Sequence, residues 1–365
     1  MTTEHPKMNA SAPRPLAPED VEKLSELQAP IVVASPNVHY TADEIVSDYT
    51  YETTRVTKAK NGTLVAENLK AEMTFHTQRR VPKTGVMLVG WGGNNGTTVT
   101  AGILANRLGM TWHTRTGERS ANFYGSLTQC ATVRLGVTED GEEVNVPIHD
   151  LLPMVKPTDL AIGGWDINGA DMGTALARAK VLDYDLQRQL IPIMSKMRPL
   201  PSIYFPDFIA ANQEDRADNV LPSTMSHREI IEHIRGDIRN FKKEHGLEKV
   251  IVLWTATTER FAEVRAGLNQ TADELLASID RNEKEIAPST MFAVATILEK
   301  DCFINGSPQN TLVPGAIELA QRNGVHVAGD DFKSGQTKIK SVLADFLVGA
   351  GLKIASIVSY NHLGN

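Results

Sequence analysis

The stretch that most constrains this chain is a short apolar run, Val86-Met87-Leu88-Val89, that passes directly into Gly90-Trp91-Gly92-Gly93-Asn94-Asn95-Gly96-Thr97-Thr98 and then into a helical stretch reaching Asn106. The apolar run suits a buried strand, the glycines a tight turn and the residues behind them a helix, so the spacing predicts strand, turn and helix in immediate succession. Residues without side chains let backbone amides come close to a pyrophosphate, and the helix N-terminus that follows favours negative charge. The fit to a dinucleotide fingerprint is incomplete, because G-x-G-x-x-G counted from Gly90 would need glycine where Asn95 stands. A nucleoside-triphosphate loop fits less well, since Gly96 is followed by Thr97 and Thr98 rather than lysine. Taken alone, the loop is either a dinucleotide site or a structural turn.

The alternation of strand and helix returns further along. Ser226 can cap a helix whose apolar stripe is Ile230, Ile231, Ile234, Ile238 and Phe241, and Gly246 closes it before a buried strand over Val250–Trp254. Thr271 with Glu274 forms a capping box, and Pro314 suits the first turn of a helix running through Arg322. Gly324 ends that helix before a strand over Val325–Ala328, and a further helix is expected from about Thr337 to Ala350. Such alternation implies a mostly parallel sheet covered on both faces. Ahead of it, residues 1–30 carry Pro6, Pro13, Pro15, Pro18 and Pro30 and predict a flexible arm. Residues 31–82 read as a β-rich lead-in, with strand-like runs at Ile31–Ala34 and Tyr49–Thr57 and a hairpin turn at Asn61-Gly62.

Length and charge narrow the options. At 365 residues the chain is too long for one small core. Its net charge of -7 gives no general attraction for nucleic acid, and no stretch approaches the ~20 apolar residues of a membrane span. With no apolar leader at the N-terminus, a cytoplasmic location is expected. Cys130 and Cys302 stand far apart and outside any CxxC pattern, which predicts two buried, reduced thiols and neither disulfide nor zinc. His227 and His233 are six apart, not the three or four of a helical metal pair, so no metal site is assigned. Trp91, Trp165 and Trp254 read as packing residues. Asp166 with Arg216 could be a surface ion pair, and Thr255 with Thr258 could cap a helix. Asp330 and Asp331 remain open between metal site, acid/base pair and helix-entry cap; if they continue a strand, only one can face a ligand.

Longer segments carry a family resemblance. Gly164-Trp165-Asp166-Ile167-Asn168, Tyr204–Gln213, Leu253-Trp254-Thr255-Ala256-Thr257-Thr258-Glu259-Arg260-Phe261, Phe303-Ile304-Asn305-Gly306-Ser307-Pro308-Gln309-Asn310, Gly329-Asp330-Asp331-Phe332-Lys333-Ser334-Gly335-Gln336-Thr337-Lys338 and Ser359-Tyr360-Asn361-His362-Leu363-Gly364-Asn365 occur in this order. With the glycine cluster and the lead-in, they make the chain resemble the myo-inositol-1-phosphate synthase family from about Asn37 to its last residue. One departure is Thr257, where the family usually has asparagine.

The resemblance implies an α/β fold with a Rossmann-like, doubly wound, mostly parallel sheet. It makes 83–337 an NAD-binding domain and 338–365 the start of an α+β catalytic and oligomerisation domain that the chain does not complete. It assigns the pyrophosphate of NAD to Gly92, Gly93, Asn94 and Asn95, and the ribose to Asp166. Ser202, Ile203, Gln213 and Arg216 fall on the adenosine side. Thr255, Ala256, Thr257, Thr258, Gly306 and Ser307 continue the groove, and Asp331, Ser334 and Asn365 stand at its far end. Ser334, Gly335, Gln336 and Thr337 are implied to hold the substrate phosphate, with Asp331 and Asn361 catalytic. The implied reaction converts glucose 6-phosphate to inositol phosphate by oxidation, enolisation, aldol closure and reduction, a step of inositol and phospholipid biosynthesis. The family's catalytic lysines belong to segments beyond Asn365, so the chain alone is expected to turn over poorly, and a homotetramer is expected of a complete member. Two alternatives are an incomplete isoform that binds NAD or full-length subunits, and an ordinary NAD-dependent polyol dehydrogenase.

Overall fold

The computed structural model describes residues 22, 29–333 and 335–358. In chain order its strands are β1 (Val38–Tyr40), β2 (Glu44–Lys58), β3 (Leu64–Gln78), β4 (Thr84–Val89), β5 (Thr111–Thr114), β6 (Gly117–Ser120), β7 (Thr132–Val137), β8 (Glu143–Pro147), β9 (Ala161–Asp166), β10 (Leu200–Pro201), β11 (Lys249–Trp254), β12 (Cys302–Asn305) and β13 (Val327–Ala328). Two compact units result: residues 1–81 with 123–154, and residues 82–122 with 155–365. Residues 123–154, inside the stretch expected as one 83–337 domain, thus group with the β-rich lead-in.

In the first unit β2 and β3 pair antiparallel along their whole length, from Glu44 opposite Gln78 to Lys58 opposite Leu64. Asn61 and Gly62 lie in the connecting turn, where Gly62 takes a φ of 88° and its amide donates to Ala59 O at 2.9 Å. Ile31–Ala34 forms no strand: the Val33 amide donates to the Tyr40 hydroxyl at 2.9 Å, and Pro30 and Pro36 bracket the run. Almost all of the expected arm, 1–30, lies outside the described residues.

The second unit is built on a six-stranded sheet of order β10-β9-β4-β11-β12-β13, parallel at every pairing. Counted among themselves in chain order, the six strands run 3-2-1-4-5-6, the Rossmann arrangement, with the order reversing between β4 and β11. Alternating side chains serve two cores. Met87, Val89, Val252 and Trp254 join the Ile230–Phe241 stripe and the helix Pro288–Leu298, while Leu88 faces Ala101, Leu104, Leu176 and Leu190 on the other side. Both faces are therefore covered, which is why β4 and β11 read as continuous apolar runs.

The helix signals act as read. Ser226 with Glu229 and Thr271 with Glu274 form complete capping boxes, and Gly246 and Gly324 close their helices with φ of 60° and 63°. Trp91, Trp165 and Trp254 are buried, Trp165 donating to Asp237 at 2.8 Å and Trp91 to Thr100 at 2.9 Å. Three expectations change. The strand at Val325–Ala328 shrinks to Val327–Ala328 because the Val325 amide closes the preceding helix by donating to Ala320 O. Cys130 and Cys302 are free but only half-buried, one in a four-residue helix that buries nothing, the other at the opening of β12. Residues 354–358, where the sequence predicts the beginning of a strand and loop over Ile354–Gly364, are irregular; 359–365 lie outside the described residues.

Candidate functional site

Since all six strands run the same way, their carboxyl ends share one edge of the sheet, and the candidate residues collect there. Gly92, Gly93, Asn94 and Asn95 follow β4, Asp166 ends β9, Ser202 and Ile203 follow β10, Thr255–Thr258 follow β11, Gly306 and Ser307 follow β12, and Asp331 follows β13. Gln213 and Arg216 lie in a 3-10 turn beyond β10.

Behind β4 the helix Asn94–Arg107 starts at Gly93, which has no side chain with which to cap it, so the first-turn amides are left for an anion. Asn94 and Asn95 are exposed there. Close packing explains two of the glycines. Gly90 has a φ of 85°, and a Cβ on it would come within 2.5 Å of Ala256 Cα; a Cβ on Gly96 would fall on the carbonyl of Trp91.

Asp166 is buried and is not part of a surface ion pair: its Oδ2 accepts from the Gly92 amide at 2.8 Å and its Oδ1 from the Asn168 amide at 2.9 Å. Burial pushes this carboxyl above its ordinary range, opposed by those two amides and by the charges of Arg216 and Arg178. Arg178, to which no sequence signal pointed, donates to Gly92 O at 2.8 Å and to Asn168 Oδ1 at 3.0 Å, and so ties the glycine loop to the end of β9. Arg216 keeps its Nε buried without a hydrogen-bond partner, and its charge acts on Asp166.

Across the order reversal, Thr255 caps no helix. Its amide and hydroxyl both donate to Val89 O, at 2.9 and 3.0 Å, and fix the end of β11 against β4. Thr257 and Thr258 are exposed. Ser307 donates to Ala256 O at 3.3 Å, and Gly306 exchanges backbone bonds with Trp254 and Phe332. Thus the loops after β9, β4, β11 and β12 and the segment after β13 form a continuous series of contacts.

At the far end, Asp330 and Asp331 lie beyond β13, in irregular backbone, with Asp331 at a φ of 66°; strand alternation therefore does not separate them. Asp330 accepts from Asn305 Nδ2 at 2.7 Å, and Asp331 is exposed. Gly335 and Thr337 open the helix Gly335–Gly349. Gln336 shares that turn with its side chain not described, and Ser334, Asn361 and Asn365 lie outside the described residues. Asn305, Gln309 and Glu259 stood within the quoted motifs without an assigned role, yet all three are buried and hydrogen-bonded at this end. Among the described residues no three His, Cys, Asp or Glu side chains cluster as metal ligands, and no helix is long and apolar enough to cross a membrane.

The family model described as "Myo-inositol-1-phosphate synthase" matches residues 84–356. Inositol-3-phosphate synthase 1-B of Xenopus laevis is 62% identical over 91% of this chain, and inositol-3-phosphate synthase of Dictyostelium discoideum is 56% identical over 91%. The chain spans 58% and 65% of their respective lengths. A crystal structure of inositol-3-phosphate synthase from Caenorhabditis elegans superposes with a TM-score of 0.85 at 52% identity, covering 88% of this chain and 63% of that one.

Proposed function

Because the chain belongs to the myo-inositol-1-phosphate synthase family, we propose that it binds NAD along the carboxyl edge of its parallel sheet and takes part in the isomerisation of glucose 6-phosphate to inositol phosphate. The observation that carries this reading is the edge itself: six strand ends in the Rossmann order, an uncapped helix behind a glycine loop and an acid at the end of the second strand. In this reading Gly92, Gly93, Asn94 and Asn95 receive the pyrophosphate, Asp166 the ribose and Arg216 the adenosine side. When bound, NAD would take a hydride from C5 of the sugar and later return it. The chain's own part is to hold the cofactor and, through Asp331, Gly335, Gln336 and Thr337, to hold and orient the phosphorylated substrate where a helix N-terminus favours a dianion. Ser334, Asn361 and Asn365 complete the assignment by resemblance. A homotetramer and a cytoplasmic location are proposed on the same basis.

Calorimetric titration of the chain with NAD and NADP tests the cofactor. NAD is expected to bind and NADP to bind more weakly, because a carboxylate at the ribose repels an added phosphate. Equal binding, or none, overturns the assignment. For the reaction, an assay of a family member with the same residues and the full length of the relatives should give product without net NADH. NADH rising in proportion to product would indicate a dehydrogenase instead.

A further inference from the structure

Glu259 follows β11 in a loop, is 5% exposed, and has no part in the cofactor contacts above. Its carboxylate accepts from the Ser289 hydroxyl at 2.6 Å and from the Ser289 amide at 3.2 and 3.3 Å, at the start of the helix Pro288–Leu298. The Thr311 hydroxyl donates to Ser289 Oγ at 2.7 Å, and Gln309 Nε2 donates to Thr311 Oγ1 and to Asn305 Oδ1, both at 3.3 Å. Asn305 Nδ2 then donates to Asp330 at 2.7 Å and to the carbonyls of Ser307 and Gln309 at 2.9 and 3.0 Å. Ser289, Thr311, Gln309 and Asn305 are each at most 2% exposed.

We propose that Glu259 is a positioning residue whose carboxylate, acting through Ser289, Thr311, Gln309 and Asn305, orients Asp330 and the Gly306–Ser307 turn, and with them the far end of the NAD cleft. The inference rests on the cofactor reading above. A plain helix cap would account for the Glu259–Ser289 bonds, but it would not call for the chain of donors beyond them.

Donor arithmetic gives the chain its direction. A carboxylate can only accept, so the single proton of Ser289 points to Glu259 and that of Thr311 points to Ser289, leaving Thr311 to accept from Gln309. This fixes which way the Gln309 amide faces, a choice reinforced where the Glu259 amide donates to Gln309 Oε1 at 3.4 Å. Gln309 in turn fixes Asn305 with its oxygen toward Gln309 and its nitrogen toward Asp330. If Glu259 is protonated, it must donate, and its nearest partner is Ser289. Reversal of the two hydroxyls then brings the Thr311 proton into competition with Gln309. The charged side chain acting on Glu259 is Arg260, on its own segment; the helix Pro288–Leu298 and the stretch Asn305–Thr311 carry no ionisable residue. Burial raises the Glu259 carboxyl to about 7, so the reversal falls in an accessible range.

The test is NAD affinity, measured by calorimetry on the full chain. Thr311→Val cuts the chain of donors and leaves the Glu259–Ser289 bonds in place; it should weaken NAD binding roughly fivefold to tenfold, whereas Thr311→Ser restores it. Wild-type affinity should rise between pH 6 and 8, and that rise should be absent in Glu259→Gln. Unchanged affinity in Thr311→Val, or identical pH profiles for wild type and Glu259→Gln, overturns the proposal. Should Thr311→Val fail to fold, the comparison of pH profiles decides alone. If the wild type binds no NAD, the cofactor reading fails, and hydrogen exchange at residues 329–333 still decides the coupling: faster in Thr311→Val supports it, and unchanged rejects it.

Discussion

Asp166 and Glu259 are equally buried acids with different compensation. Two backbone amides and two arginine charges oppose the burial of Asp166, and Asp166→Asn can accept from only one of those amides at full strength. The other would be left buried without a partner, so the substitution should destabilise the chain by about 1–3 kcal/mol and weaken NAD binding, measurable together by thermal melting and calorimetry. Glu259 has less support, and its carboxyl rises from an ordinary 4.5 to about 7. The folded state then holds the proton more tightly than the unfolded chain. Stability falls as pH rises from about 4.5 to about 7, and a cost on the order of 3 kcal/mol persists above that window. Glu259→Gln should therefore melt above the wild type at pH 8 and approach it at pH 5. A variant melting lower at pH 8 would mean that the Ser289 bonds outweigh burial. A buried acid that lowers stability at neutral pH suits a residue kept to orient its neighbours.

At the scale of elements, the turn after β4 separates two roles that glycine can play. Gly93 lies at φ -75° and ψ 175°, open to any residue, and an added Cβ meets only the Gly90 carbonyl at 3.1 Å. Gly96 has no such room, since its Cβ would fall on the backbone of Trp91. Gly93→Val should leave the melting temperature nearly unchanged and abolish NAD binding, while Gly96→Ala should lower the melting temperature; Gly93→Val with intact affinity would make the loop a turn and nothing more. The turn and the capped helices were readable because their signals are local: a glycine cluster, a cap at Ser226, a capping box at Thr271 and two glycine stops act within a few residues of one another. Asp166 lacked such a signal. The fingerprint expects its acid ~20 residues after the glycines, at the end of the second strand, whereas β5–β8 intervene here and the second strand becomes β9. Arg178 and the Glu259–Asp330 series were hidden for a related reason, because their partners lie far off in sequence and meet only when the sheet brings the loops together. Ile31–Ala34 shows the converse: a strand-like composition with no partner strand.

For the whole molecule the distribution of burial decides how it should unfold. All three apolar clusters lie in the unit of residues 82–122 and 155–365, and among the described residues of the other unit no side chain is fully buried. The β2–β3 ribbon carries Tyr49, Tyr51, Met73 and Phe75 exposed, and a hairpin without a core is marginal by itself. One cooperative transition is expected, belonging to the parallel sheet, and NAD should act on it alone. A ligand bound only by the folded state adds about 2.7 kcal/mol at a hundredfold excess over its Kd. Native-state hydrogen exchange resolves this by segment. Amides of β4 and β11 should exchange only through global opening and slow further when NAD is added. Those of β2 and β3, in dilute chain free of self-association, should exchange by local opening at rates NAD does not change. Equal protection of both regions, rising together with NAD, would show that the ribbon unfolds with the sheet and that the division into two units has no energetic counterpart.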